Sequence, residues 1–291
     1  MTWVVALRTV SIPTTFAAET LEAGPLPAVH SGGRGNRYGY DVFSIAALVP
    51  SPPILVPELC GGATGPIPGH QVDPRVALRA EVVAAATAMA AVTDRWTVVG
   101  VGAADQAFGP GTVGTFRGFG ADVRVALSAT ASAAPDPRLP LPVLIAGWLR
   151  EQVAPAIAAD VHIVAEDTDP DDCRALGMKL RAEADGSDAR HGVLVIADGA
   201  ATLTLKAPGY LDERAEAVQA DLDRMLRTGD LAGLRALNPV LCAELVLSGR
   251  AAYQVLTGLF DADPIVETRY QAAPFGVGYH VGLWRAAEAQ S

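Results

Sequence analysis

The segment Ser44-Ile45-Ala46-Ala47-Leu48-Val49-Pro50-Ser51-Pro52-Pro53 constrains this chain more than any other. A short apolar run of strand length ends abruptly in closely spaced prolines. Each proline fixes φ near −65° and drives the residue before it toward extended geometry, so the backbone must leave the strand in one direction. Ser51 is thereby held at the carboxyl end of a buried strand, the edge where open α/β sheets bind ligands.

Beyond Phe43, strand-like and helix-like patterns alternate. Ser44–Val49 reads as a strand, and Asp73-Pro74 as an N-cap followed by proline at the first helical position, opening an Ala-rich helix to Val92. Trp96–Val101 is a buried strand followed by a Gly-rich loop through Gly120. Asp122–Leu127 is a strand, Pro142–Val153 a helix and Val161–Ala165 a strand. Asp169-Pro170 caps a helix to Ala184, and Gly192–Ala197 is the next strand. Helices follow over Asp212–Arg227, Leu231–Leu237 and Pro239–Leu259, the last broken at Gly249. Two strands, Ile265–Ala272 and Val277–Trp284, flank Pro274-Phe275-Gly276 and pair antiparallel. This order predicts an α/β fold, a three-layer sandwich with a mostly parallel central sheet, helices on both faces and antiparallel C-terminal strands. One domain spans 43–286, with 287–291 as a tail. Residues 1–42, rich in turn formers and without periodicity, read as an extension or as a mis-assigned start ahead of Val42.

Half of the 291 residues are hydrophobic, enough for a sizeable core, and the formal charge is −10. Such a balance argues against a nucleic-acid partner and against an anionic membrane surface. No apolar run reaches spanning length, and the start lacks a basic secretory region, which points to the cytoplasm. Cys60, Cys173 and Cys242 form no Cys-x-x-Cys and read as small buried hydrophobes in a reducing compartment.

In a parallel sheet the loops after the strands converge. Ser51, Asp105 (in Ala103-Ala104-Asp105-Gln106) and Asp198 (in Asp198-Gly199-Ala200-Ala201) are therefore the crevice candidates. Three familiar motifs fail. Gly100-Val101-Gly102 lacks the third glycine and the helix of a dinucleotide turn. Gly61-Gly62-Ala63-Thr64-Gly65 lacks the Lys of a phosphate loop, and Ser51 sits among prolines rather than in a nucleophile elbow. Of five histidines, His30 lies in the extension, His162 and His191 precede or open strands at the edge away from the crevice, and His280 sits within a terminal strand. His70, in Pro68-Gly69-His70, is on a crevice-side loop.

The strand–proline motif, with the order and spacing of elements over most of 43–285, resembles the class III extradiol ring-cleavage dioxygenases, catalytic-subunit-B-like. The resemblance implies an iron-binding His before the Pro-Pro, where this chain has Ser51. It implies a second iron-binding His in the loop that here reads Ala103–Gln106, and an acid/base His in the loop that here reads Asp198–Ala201. A metal-binding Glu on a late helix is matched by Glu244 in Cys242-Ala243-Glu244-Leu245.

The missing imidazoles bear on activity. A ring-cleaving iron site is a facial triad of two His and one carboxylate. A carboxylate and water site suits Mg²⁺, Ca²⁺ or Mn²⁺ instead. The expectation is therefore a dioxygenase-like protein with a degenerate iron site, holding no metal or a weakly bound divalent ion, in a small-molecule-binding or assembly role. An Fe(II) enzyme cleaving a catechol-like small aromatic through His70 or His280 beside Glu244 is one alternative. A structural subunit of a hetero-oligomer is the other, and the expected assembly is a homodimer or a pairing with a partner subunit.

Overall fold

The computed structural model describes residues 43–61 and 72–287, so His70 and the segment 1–42 lie outside the described residues. A single compact unit, Tyr40–Ser291, contains every described residue. The first strand, β1 (Phe43–Val49), is apolar on both faces because both are covered. Ile45, Ala47 and Val49 enter one core, and Phe43, Ala46 and Leu48 the other.

Asp73 accepts the Arg75 backbone N–H at 2.9 Å and opens α1 (Pro74–Ala90). The helix buries Leu78, Val82, Ala85, Ala86 and Met89 at helical spacing. The strands β2 (Arg95–Gly102), β3 (Gln106–Phe108), β4 (Val113–Thr115) and β5 (Arg124–Ala126) precede α2 (Leu141–Val153). Then come β6 (Ala158–Ala165), α3 (Pro170–Asp185) capped by Asp169, and β7 (His191–Ile196). The helices α4 (Ala215–Thr228), α5 (Leu231–Arg235), α6 (Pro239–Glu244) and α7 (Arg250–Leu256) lead to the hairpin β8 (Ile265–Ala272) and β9 (Tyr279–Arg285).

Among the described residues the main sheet has seven strands, in the order β3-β6-β2-β7-β1-β9-β8. Within it β6, β2, β7 and β1 run parallel, β3 runs against β6, and β9 runs against both β1 and β8. Helices α1 and α2 pack on one face; α3, α4, α5 and α7 contribute to the core on the other. The fold is thus the expected three-layer α/β sandwich with antiparallel C-terminal strands. Helices α3 and α7 meet backbone to backbone, because a methyl on Gly177 would overlap the Val255 carbonyl and one on Gly258 the Arg174 carbonyl.

Local departures from the sequence expectation have physical causes. The predicted strand at Asp122–Leu127 is only three residues long, and it pairs with β4 in a separate two-stranded sheet. The Gly-rich loop supplies that partner, and also β3 at the sheet edge. His162 lies in the middle of β6, because the strand starts at Ala158 rather than Val161. The helix predicted over Pro239–Leu259 is two helices. Val246 takes a left-handed φ of 51°, and Gly249 donates its N–H to the Asp198 carbonyl at 2.9 Å, drawing the second helix onto the end of β7.

Candidate functional site

The chain after β1 turns to α1 on one face of the sheet, whereas the chain after the adjacent strand β7 goes to α4 on the other. This divergence is a topological switch point, the place where an open α/β sheet leaves a crevice beyond its strand ends. Ser51 follows β1 there and Asp198 follows β7. The Ala197 N–H donates to the Val49 carbonyl at 3.0 Å, so the two strand ends stay in register up to these residues.

The side chains meet directly. Ser51 Oγ donates to Asp198 Oδ2 at 2.6 Å, and the Ser51 backbone N–H donates to Oδ1 at 3.0 Å. Both carboxylate oxygens are thereby engaged by one residue, whose side chain is almost wholly buried. The backbone around Asp198 is equally constrained. Tyr253 Oη donates to the Ala197 carbonyl at 3.1 Å, Gly199 N–H to the Gly278 carbonyl at 2.8 Å, and Ala200 N–H to Gln219 Oε1 at 2.8 Å. Desolvation raises the Asp198 carboxyl pKa above its ordinary value, with the two Ser51 hydrogen bonds opposing. Burial also pushes the Tyr253 and Tyr279 hydroxyl pKa values up, and the Asp198 charge adds to both. A serine hydroxyl that donates to a desolvated carboxylate keeps its own lone pairs to accept a hydrogen bond from a ligand.

The other predicted site residues lie elsewhere. Asp105 is exposed, and its Oδ1 accepts the Ala165 N–H at 2.7 Å. It therefore caps the end of β6, with β2 and β7 standing between β6 and β1. Glu244 points outward from α6, and its Oε2 accepts from Arg214 at 2.7 Å with the glutamate side chain 51% exposed. His280 is 2% exposed in β9, opposite Gln271 of β8. Gln271 in turn bonds Asp223 and Arg227, in the second half of α4. Arg214 marks the start of that 14-residue helix, so Glu244 and His280 associate with parts of α4 well apart along its length of about 20 Å. The alternative site, with His280 beside Glu244, is not formed: a short, Asn238-capped α6 turns the glutamate to solvent, while β9 turns the imidazole into the core.

Asp198 is closed by Ser51, Asp105 by a backbone amide and Glu244 by Arg214, and among the described residues no three His, Cys, Asp or Glu side chains gather as metal ligands. The described residues do not fit the ferrous triad that the family resemblance implies.

Sequence reasoning missed a second feature of the carboxyl edge. A cavity of about 390 Å³ lies beyond β6, lined by Val240, Cys242, Val246 and Leu247 on one side and by Glu166 and Asp167 on the other. Its floor includes Arg250, 2% exposed, which donates to the Thr168 carbonyl at 2.6 Å, to Gln254 Oε1 at 2.8 Å and to the Glu166 carbonyl. The only sequence hint was Gly249, which breaks the helical pattern beside it. Cys242 is buried with its thiol pKa pushed to about 11, so it packs as an apolar group rather than a nucleophile.

Comparison with known proteins adds little to this geometry. No family model matches the chain, and no curated protein matches it. A solved structure of an uncharacterized protein from Escherichia coli K12 is similar over 84% of this chain and 100% of its own, with 9% identity and a TM-score of 0.45. No helix among the described residues is long and apolar enough to cross a membrane.

Proposed function

We propose that the protein binds a small molecule, a neutral or weakly acidic aromatic in the first instance, at the carboxyl edge of its sheet, on a scaffold resembling the class III extradiol dioxygenases without their iron site. The observation that carries this reading is the Ser51–Asp198 pair, in which one residue engages both oxygens of the switch-point carboxylate. A carboxylate saturated in this way has little capacity left for a metal ion. Ser51 Oγ, which donates to that carboxylate, keeps lone pairs that can accept a hydrogen bond from a ligand hydroxyl. The cavity under Val246 supplies apolar surface at the same edge, as small-molecule sites require.

Two measurements test the reading. Anaerobic titration of the full chain with ferrous iron, followed by metal analysis, is expected to leave no stoichiometric iron. Tight one-to-one iron, lost in a Glu244→Ala variant, would restore the active dioxygenase. Ligand-observed NMR with a set of phenols and benzoates is expected to find binding that a Ser51→Ala variant weakens; indifference to that variant rejects the site.

A further inference from the structure

A second cavity opens at the opposite, amino-terminal edge of the sheet. Four side chains project from one face there: Thr97 from β2, Asp160 and His162 from β6, and His191 from β7. They share the side that farther along carries the core residues Val99, Val164 and Val193, as period-2 alternation requires. The sheet thus changes on one face from apolar to polar, under the end of α3. The cavity measures about 420 Å³ and is bordered by Glu183 of α3 and by the β3 edge at Ala107 and Phe108.

His191 is the unexplained group. It is 8% exposed, it lines this cavity, and neither ring nitrogen has a hydrogen-bond partner among the described residues. A buried polar side chain without partners costs stability, so such a group calls for an explanation. Burial holds its pKa low, and the Arg95 charge adds to this; burial lowers the His162 pKa as well, against Glu183 and Asp160. Both imidazoles are therefore neutral near neutral pH, each with one donor and one acceptor.

The charges around them are already matched. Arg95 donates to Asp160 Oδ2 from Nε at 3.0 Å and from an Nη at 2.6 Å, and Lys179 lies 3.8 Å from Glu183. An anionic ligand would face two carboxylates, and a cationic one would face Arg95 and Lys179. What remains unmet is neutral hydrogen bonding. Six of the eleven lining residues are polar, which calls for a ligand with several hydrogen-bonding groups. The geometry points to a binding site for a small, neutral, polyhydroxylated molecule of monosaccharide size, with a ligand hydroxyl on His191. Hydroxyls donate and accept, so they suit imidazoles and carboxylates together. The site is separate from the Ser51–Asp198 edge and does not depend on the function proposed for it.

Saturation-transfer difference NMR on the full chain, with myo-inositol and D-glucose as probes at millimolar concentration, tests this. At least one probe is expected to bind and to shift the ring signals of His162 and His191. A His191→Leu variant should weaken binding about tenfold or more, the scale of a lost buried hydrogen bond. Glu183→Ala, at an exposed position on α3, should weaken it even if His191→Leu folds poorly. Ser51→Ala should leave it unchanged. Absence of binding by both probes overturns the proposal, as do equal affinity in the Glu183→Ala variant and ring shifts confined to other histidines.

Discussion

Ser51 and Asp198 form a pair whose two members are set by different local forces. The flanking prolines hold Ser51 extended, and the network around Gly199 and Ala200 holds Asp198. Removing the hydroxyl in Ser51→Ala leaves the amide contact but strips one hydrogen bond from a desolvated carboxylate. The expected loss in a urea unfolding experiment at neutral pH is about 1.5–3 kcal/mol. Asp198→Asn tests the titration. Its carboxyl pKa is raised in the fold, so the acid form stabilises the protein below the ordinary value of 3.8, and this contribution is lost as pH rises through the folded value. At neutral pH the ionised carboxyl is thus a net cost. The asparagine can still accept from the Ser51 amide and donate to its hydroxyl, so the variant is expected to melt at or above the parent there. That advantage should vanish in acid. A thermal midpoint for Asp198→Asn well below the parent at neutral pH would contradict the assignment. The sequence made Ser51 visible through its prolines and Asp198 through its place after a strand. It could not show where Asp105 would turn, because an aspartate just beyond a strand can cap a neighbouring strand as readily as it can face a crevice.

At the scale of elements, the break between α6 and α7 shapes the carboxyl edge. Gly249 admits no side chain: a methyl there would press on the Asp198 carbonyl, on Ala197 and on the Tyr253 ring. Gly249→Ala is therefore expected to destabilise the fold by about 1–3 kcal/mol, the range of overpacked cores, and to perturb the Ser51–Asp198 contact. Val246 carries the opposite sign. A β-branched residue at φ 51° costs about 1–2 kcal/mol relative to its preferred backbone, and the side chain is 45% exposed, so little packing offsets the strain. Val246→Gly is expected to gain about 1 kcal/mol net after the flexibility glycine restores to the unfolded chain, seen as a midpoint a few degrees higher. Weaker ligand binding in the same variant would show that the strained turn shapes the adjacent cavity. Caps made much of this legible beforehand, as at Asp73-Pro74 and Asp169-Pro170. The left-handed Val246 was not, since nothing in its residue type favours that conformation, and with it went the orientation of Glu244.

At the scale of the whole molecule, the alternation of strands and helices was legible because each periodic run is bounded by its own turn chemistry. The strand order was not. That β7 lies between β2 and β1 follows from packing, and it is what brings Asp198 rather than Asp105 to Ser51. The same packing buries His191 and His280 and half-buries His162, and it lowers the pKa of each. His280 is the extreme case, at about 4, because β9 encloses it and Arg227 adds positive charge. A histidine depressed in the fold contributes stability that is complete above its unfolded value near 6.5 and drains away as pH falls toward the folded value. Acid should therefore weaken the molecule between those limits, before most carboxylates titrate. His280→Leu removes one proton-linked step without introducing a charge, and neither ring nitrogen it deletes has a hydrogen-bond partner among the described residues. The variant's advantage over the parent, read from urea midpoints, is expected to widen by on the order of 3 kcal/mol across that window. Parallel pH profiles for the two proteins would mean that His280 is reached by water in the folded state. The β8–β9 edge, rather than the central sheet, would then be the part of the molecule that opens first in acid.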